Sequence, residues 1–299
     1  MAKFINPFSD WGFKKIFGQE INKDLLMGFL NDLLDGEVHI ADLTFHDKEQ
    51  TAELHDMRGI IYDIYCTTDK GEHIIVEMQN RSQEYFTDRS LFYAARTIVN
   101  QGVKGAEWDY SLKPVYTVCF LNYCAGEPST RKFRTDVALM DMQNAHVYSD
   151  KLRFVYLMLP LFEKDESECE NDFERWIYIL KNMSTFERMP FLARNAVFKK
   201  LAEIADISAL SKEDREKYDE SIKVMRDYQA TMKTARKEGL EKGRAEGLAE
   251  GLEEGRAEGM KESKASIARN LLGIGLPISQ IIQVTGLSEE DIKGLANLN

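Results

Sequence analysis

Asp63, Glu77 and Gln79 are the residues whose types and spacing could do chemistry in this chain. They lie in residues 58–68 and 73–80, two segments of alternating apolar character that read as strands joined around Asp69, Lys70 and Gly71 into a hairpin. The apolar face of the first is Ile60, Tyr62, Ile64 and Cys66, and that of the second is Ile74, Val76 and Met78. Those faces must coincide on one core. The pairing that achieves this sets Tyr62 opposite Met78, Ile64 opposite Val76 and Cys66 opposite Ile74, because a slip by one residue would turn a strand inside out. The same register puts Asp63 opposite Glu77, and Gln79, two residues on, points to their side.

Carboxylates that face each other across neighbouring strands, with β-carbons about 4.5–5.5 Å apart, destabilise the pair. A shared proton relieves the repulsion. So does a divalent cation with oxygen ligands, Mg²⁺ above all, which leaves further sites for water and a phosphate. On a half-exposed hairpin the same acids would be ordinary solvent-face residues. Ile61, Tyr65 and Ile75 share their face, however, so it reads as mostly apolar and covered, where carboxylates need partners.

The elements that must position these residues follow from periodicity. Residues 21–35 place Ile21, Leu25, Leu26, Phe29, Leu30 and Leu33 at helical spacing, and Gly36 stops the pattern. Val38, Ile40, Leu43 and Phe45 follow as a strand. Beyond the hairpin, residues 84–101 are helical, with Tyr85, Leu91, Phe92, Ala95 and Ile98 able to face a core. Residues 114–123 form a buried strand rich in β-branched and aromatic side chains, residues 152–159 another, and 172–183, 189–207 and 212–237 amphipathic helices. The predicted order is helix, three strands, helix, strand, with added C-terminal helices.

Composition bounds the function. With 43% hydrophobic and 30% charged residues the chain is an ordinary globular protein rather than a disordered one. No apolar run has signal-peptide or membrane-span character, so the reading is a cytoplasmic protein without membrane contact. Cys66, Cys119, Cys124 and Cys169 lack zinc-site spacing and read as reduced core thiols. A net charge of −11 counts against coating nucleic acid through a global field. Local binding stays open, through a held cation or through Arg131, Lys132 and Arg134, although a solvated turn is the stronger reading of that triplet.

At residues 238–261 the character changes. Gly239, Gly243, Gly247, Gly251, Gly255 and Gly259 recur every fourth residue, and such steps rotate a glycine stripe by about 40° per repeat on a 3.6-residue helix. That rotation disfavours a straight coiled-coil seam, and the readings are a helical spacer or a close-packed or semi-flexible arm through which copies of the chain self-associate. Residues 265–272, 278–285 and 289–295 then make three short helices resembling a helix-turn-helix. The last opens with Glu289, Glu290 and Asp291, a poor surface for phosphates, so packing or protein contact is the stronger reading there.

Taken together, helix, hairpin with Asp63, Glu77-x-Gln79, helix and strand resemble the PD-(D/E)XK restriction-endonuclease-like α/β core. More narrowly, SDWGFKKIFG at 9–18, RGIIYDIYC at 58–66, IIVEMQNR at 74–81 and RSLFYAARTIVNQ at 89–101 are similar to the Rpn family of recombination-promoting nucleases, or transposase-like proteins. That resemblance implies Asp63, Glu77 and the backbone carbonyl of Met78 as metal ligands, and Gln79 where lysine usually stands. Glutamine hydrogen-bonds but carries no charge, so more of the electrostatic work falls to the metal. It also implies hydrolysis of DNA phosphodiesters by a metal-activated water, with Mg²⁺ as cofactor and Mn²⁺ as the alternative, in recombination or transposition.

Asp10 enters as a second-rank acid, with a turn or cap residue as its other reading. Arg89, Tyr93 and Arg96 share a helix face and are the candidate DNA contacts, with Arg89 lying over the helix surface and Tyr93 in the core as the alternative. The expected organisation is a nuclease domain with helical extension at 1–237, the glycine-tetrad arm at 238–261 and the small helical segment at 262–299. The competing function is a catalytically inactive DNA-associated or protein-interaction scaffold that keeps the nuclease fold.

Overall fold

The structure, a computed structural model, describes residues 2–47, 49–50, 60–102, 109–192 and 194–296. The elements are α1 (Asp10–Phe17), α2 (Lys23–Leu33), β1 (Leu43–Phe45), β2 (Glu49–Gln50), β3 (Ile60–Ile61), β4 (Ile64–Thr68), β5 (His73–Gln79), α3 (Phe86–Val99), β6 (Val115–Leu121), β7 (Arg134–Met140), β8 (Val147–Met158), α4 (Asp172–Asn182), α5 (Ala196–Ala205), α6 (Lys212–Gly273), α7 (Ile278–Thr285) and α8 (Glu289–Ala296). The chain divides into two compact units, Met1–Met225 and Arg226–Asn299.

In the first unit a mixed sheet runs in the order β1-β4-β5-β6-β8-β7, with β5, β6 and β8 parallel and the other neighbours antiparallel. This is the expected α/β core. Every residue of β6 is buried, as a central strand covered on both faces requires. Ile64, Cys66, Ile74, Val76, Val118 and Phe120 face one large core with α1, α2, α4 and α5. Tyr65, Ile75, Val115 and Phe154 face the other way, beneath Ala94 of α3. The hairpin turns at Gly71, whose φ of +80° suits glycine.

Because β5 and β6 are parallel, the chain must cross over between them, and α3 is that crossover. It therefore begins just past the carboxyl end of β5 and lies over the face that carries Glu77. Its buried stripe is Phe86, Ser90, Ala94 and Thr97, whereas the apolar count favours Tyr85, Leu91, Phe92, Ala95 and Ile98. Of these Ile98 packs on the core, and Tyr85, Leu91 and Phe92 are exposed. Small residues let the helix approach the sheet. Their hydroxyls are satisfied there, Ser90 by Tyr156 at 2.8 Å and Thr97 by Tyr62 at 3.1 Å.

Other departures have equally local causes. Ile21 is 79% exposed because it sits in a 3-10 turn, Glu20–Asn22, ahead of α2 and off the helical phase. Val38 and Ile40 precede β1 rather than joining it, since the Asn31 side chain bonds both the N–H and the C=O of Ile40. Ser9 caps α1 through the Gly12 N–H, so Asp10 is the first residue of a helix that the periodicity reading did not include. Strand β7 forms an exposed edge whose weak alternation gives no strand signal. Arg58, the expected start of the first hairpin strand, lies outside the described residues. Cys66, Cys119 and Cys169 are buried free thiols and Cys124 is half-buried.

In the C-terminal part, the pieces expected at 212–237, 238–261 and 265–272 form one helix, α6. Ala268, Ile281 and Ile292 centre a small core shared by the end of α6, α7 and α8. Gly286 caps α7 at a φ of +66°. A Cβ built at any of the six tetrad glycines meets no atom within 4 Å. Gly251→Ala is therefore expected to stabilise the helix by about 1 kcal/mol, read as helical circular dichroism retained to a higher temperature than in the parent. Amide exchange over residues 239–260 is expected to be fast. Protection there as strong as in β6 would mean that the arm is packed against another chain. No helix among the described residues is long and apolar enough to cross a membrane.

Candidate active site

The register Ile64 with Val76 and Cys66 with Ile74 is the one the apolar alternation demands. It ends there. The chain bends at Tyr62–Asp63 between β3 and β4, so Tyr62 leaves the face of Ile64 and turns under α3, its ring tilted against Tyr65 and edge-on to Tyr93 with centroids 5.1 and 5.4 Å away. Tyr62 does not pair with Met78. Ile61, expected beside the acids on a covered face, is 65% exposed for the same reason.

The bend brings the Asp63 side chain to the end of β5. In parallel pairing with β6, Gln79 O accepts from Asn122 N–H and His73 N–H donates to Pro114 O, so odd-numbered peptides of β5 face β6. The peptide of Met78 consequently faces the β4 side, beyond the point where β4 ends. Its N–H donates to Asp63 Oδ2 at 2.8 Å. In return the Asp63 N–H donates to Glu77 Oε1 at 3.3 Å, and Gln79 Nε2 donates to Glu77 Oε2 at 3.4 Å. Asp63, Glu77, Met78 and Gln79 thus form one connected cluster, although Asp63 reaches it from a bend and not from a paired strand position.

Glu77 is 3% exposed. Burial, then the negative charge of Asp63, pushes its carboxyl up to about 8, against the Asp63 N–H, Arg89 and Gln79. Burial also raises Asp63, while the Met78 N–H, Lys14 and Arg89 favour its ionised form and Asp10 opposes it. Two acids are held together with insufficient positive charge around them, and a divalent cation fits that deficit. Among the described residues no group of three or more His, Cys, Asp or Glu side chains is placed to hold a metal. The side-chain donors that lie together are the carboxylates of Asp63 and Glu77.

The remaining candidates are distributed around this cluster. Asp10 pairs with Lys14 at 2.6 Å and feels Asp63 only through its charge. Arg89, half-buried over the rings of Phe86 and Tyr93, bonds Gln83 at 2.6 Å and bears on both acids. Tyr93 joins the aromatic group under α3. Arg96, about 10 Å further along α3, bears on the Tyr62 hydroxyl instead. Of the basic triplet, Arg131 is bonded to Ala125 and Gly126 carbonyls, and Arg134 to Asp136 and the Leu33 carbonyl. Lys14 is the neighbour that periodicity reading missed. Ser9 before Phe13, Ile16 and Phe17 at helical spacing was the available signal.

Compared with known protein families, residues 7–235 match the PD-(D/E)XK nuclease family transposase model. Residues 261–297 match the C-terminal HTH domain of the Rpn/YhgA-like nuclease family. Searches of curated proteins and of solved structures return no match.

Proposed function

Because the chain belongs to the PD-(D/E)XK nuclease family transposases, we propose that it is a divalent-metal-dependent DNA endonuclease acting in the cytoplasm on recombining or transposing DNA. The observation that carries this reading is the pair of half-buried Asp63 and buried Glu77, cross-bonded at the carboxyl end of β5, where open α/β sheets bind ligands. Asp63, Glu77 and the Met78 carbonyl would hold the ion. When bound, Mg²⁺, or Mn²⁺ in its place, supplies Lewis-acid polarisation of the phosphoryl oxygen and an acidified water. Gln79, already bonded to Glu77, steadies that carboxylate and offers a further hydrogen bond to the water. Arg89, whose charge bears on both acids, would leave Gln83 to meet a phosphate oxygen.

The C-terminal helix-turn-helix, 261–297, is proposed as a second DNA contact. The acids opening α8 direct that contact to other parts of the unit. Supercoiled plasmid incubated with Mg²⁺ tests the reading. The parent is expected to nick or linearise it and Asp63→Ala to leave it intact. Equal cleavage by both, or none by either, would favour the scaffold reading.

A further inference from the structure

Cleavage of a phosphodiester gathers negative charge on the phosphoryl oxygens, and a nearby side-chain cation stabilises it. Gln79 cannot supply one. Helix α1 brings a candidate to the same place by an independent route. Asn80, next after Gln79, donates its side-chain N–H to the Phe8 carbonyl, tying the start of α1 to the end of β5. Phe13 packs on Phe120 at 5.7 Å, next to Met78 in the ladder. Gly18, which ends α1, and Ile64, which follows Asp63, line one cavity of about 590 Å³.

Between these anchors Lys14 lies within the electrostatic reach of Asp63. Its side chain is 39% exposed and its ion pair is with Asp10, one turn earlier and itself 66% exposed. Neighbouring Lys15 is committed elsewhere, to Asp214 at 2.9 Å and the Trp11 ring. An exposed pair of this kind is worth little and yields readily to a phosphate.

We propose that Lys14 supplies from α1 the positive charge on the scissile phosphate that Gln79 does not carry. This rests on the nuclease reading, and Asp10 then serves as the resting partner of the ammonium. The test uses the full chain with Lys14→Met and Lys14→Arg. A short DNA duplex is titrated over a range of salt with Ca²⁺ replacing Mg²⁺, beside plasmid cleavage in Mg²⁺. Lys14→Met is expected to lower the slope of log affinity against log salt by about 1 and cleavage by about 10²–10³-fold. Lys14→Arg should recover the slope and most of the rate. The rise in melting temperature with Mg²⁺ should match the parent's in both variants, because Lys14 does not touch the ion.

An unchanged salt slope in Lys14→Met, or cleavage within about twofold of the parent, would overturn the proposal. So would loss of the Mg²⁺ response, which would make Lys14 part of the metal site's architecture. If Asp63→Asn abolishes cleavage while Lys14→Met keeps it, only this proposal fails. If the parent cuts nothing, the nuclease reading fails, and the salt slope alone still decides whether Lys14 meets a phosphate.

Discussion

Asp63→Asn is expected to cut plasmid at no more than about a thousandth of the parental rate and yet, without metal, to melt at a higher temperature than the parent. Both halves follow from one geometry. The Asp63 carboxylate accepts the Met78 N–H, and an asparagine carbonyl in its place can accept the same bond. The fold therefore loses little. What disappears is a negative charge beside Glu77, whose own carboxyl burial and Asp63 together push up to about 8. Relief of that repulsion stabilises the metal-free protein. The ion, by contrast, loses one of two charged ligands, and several kcal/mol of transition-state stabilisation is about three orders of magnitude in rate. Thermal melts with and without Mg²⁺, run beside the plasmid assay, measure both. Parental cleavage by Asp63→Asn, or an equal Mg²⁺ rise in its melting temperature, would remove Asp63 from the ligand set.

How much of this was legible in the residues depended on whether a pattern had competition. The hairpin register was, because Ile64, Cys66, Ile74 and Val76 fill one core and no other pairing buries all four. That register also placed Glu77 and Gln79 correctly on the face under α3. The alternation could not show where pairing stops, since Ile60 and Tyr62 fit either face by hydrophobicity alone, and the bend sends both under α3. In α3 the phase was hidden because polar Ser90 and Thr97 are buried against tyrosine hydroxyls. A count of apolar residues selects Leu91 and Phe92 instead. Lys14 was hidden for a different reason. One turn of α1 places it, and its distance in sequence from Asp63 gives no hint that Asn80 ties the two elements together.

The metal-free protein is expected to lose stability as pH rises from about 5 to about 8, and Glu77→Gln is expected to reduce that loss to the part Asp63, also raised by burial, contributes. A carboxyl raised to about 8 in the fold, from its ordinary 4.5, binds its proton more tightly folded than unfolded. Its contribution is fully present below the unfolded value and is lost as pH climbs through the folded one. At about 1.4 kcal/mol per pKa unit the loss amounts to a few kcal/mol. Glutamine keeps an acceptor for the Asp63 N–H and has no proton to lose. His73, whose pKa burial lowers, gives the opposite slope, but it is common to both proteins and cancels in the difference. Divalent metal should act against the trend, because the ion needs the deprotonated carboxylate and binds more tightly as pH rises. Denaturant unfolding in EDTA at pH 5, 6.5 and 8 reads the slope, and repetition with Mg²⁺ reads its recovery. A pH slope in Glu77→Gln equal to the parent's would mean that Glu77 holds no proton at neutral pH. The strained acid pair would then be no reason for this fold to bind a metal.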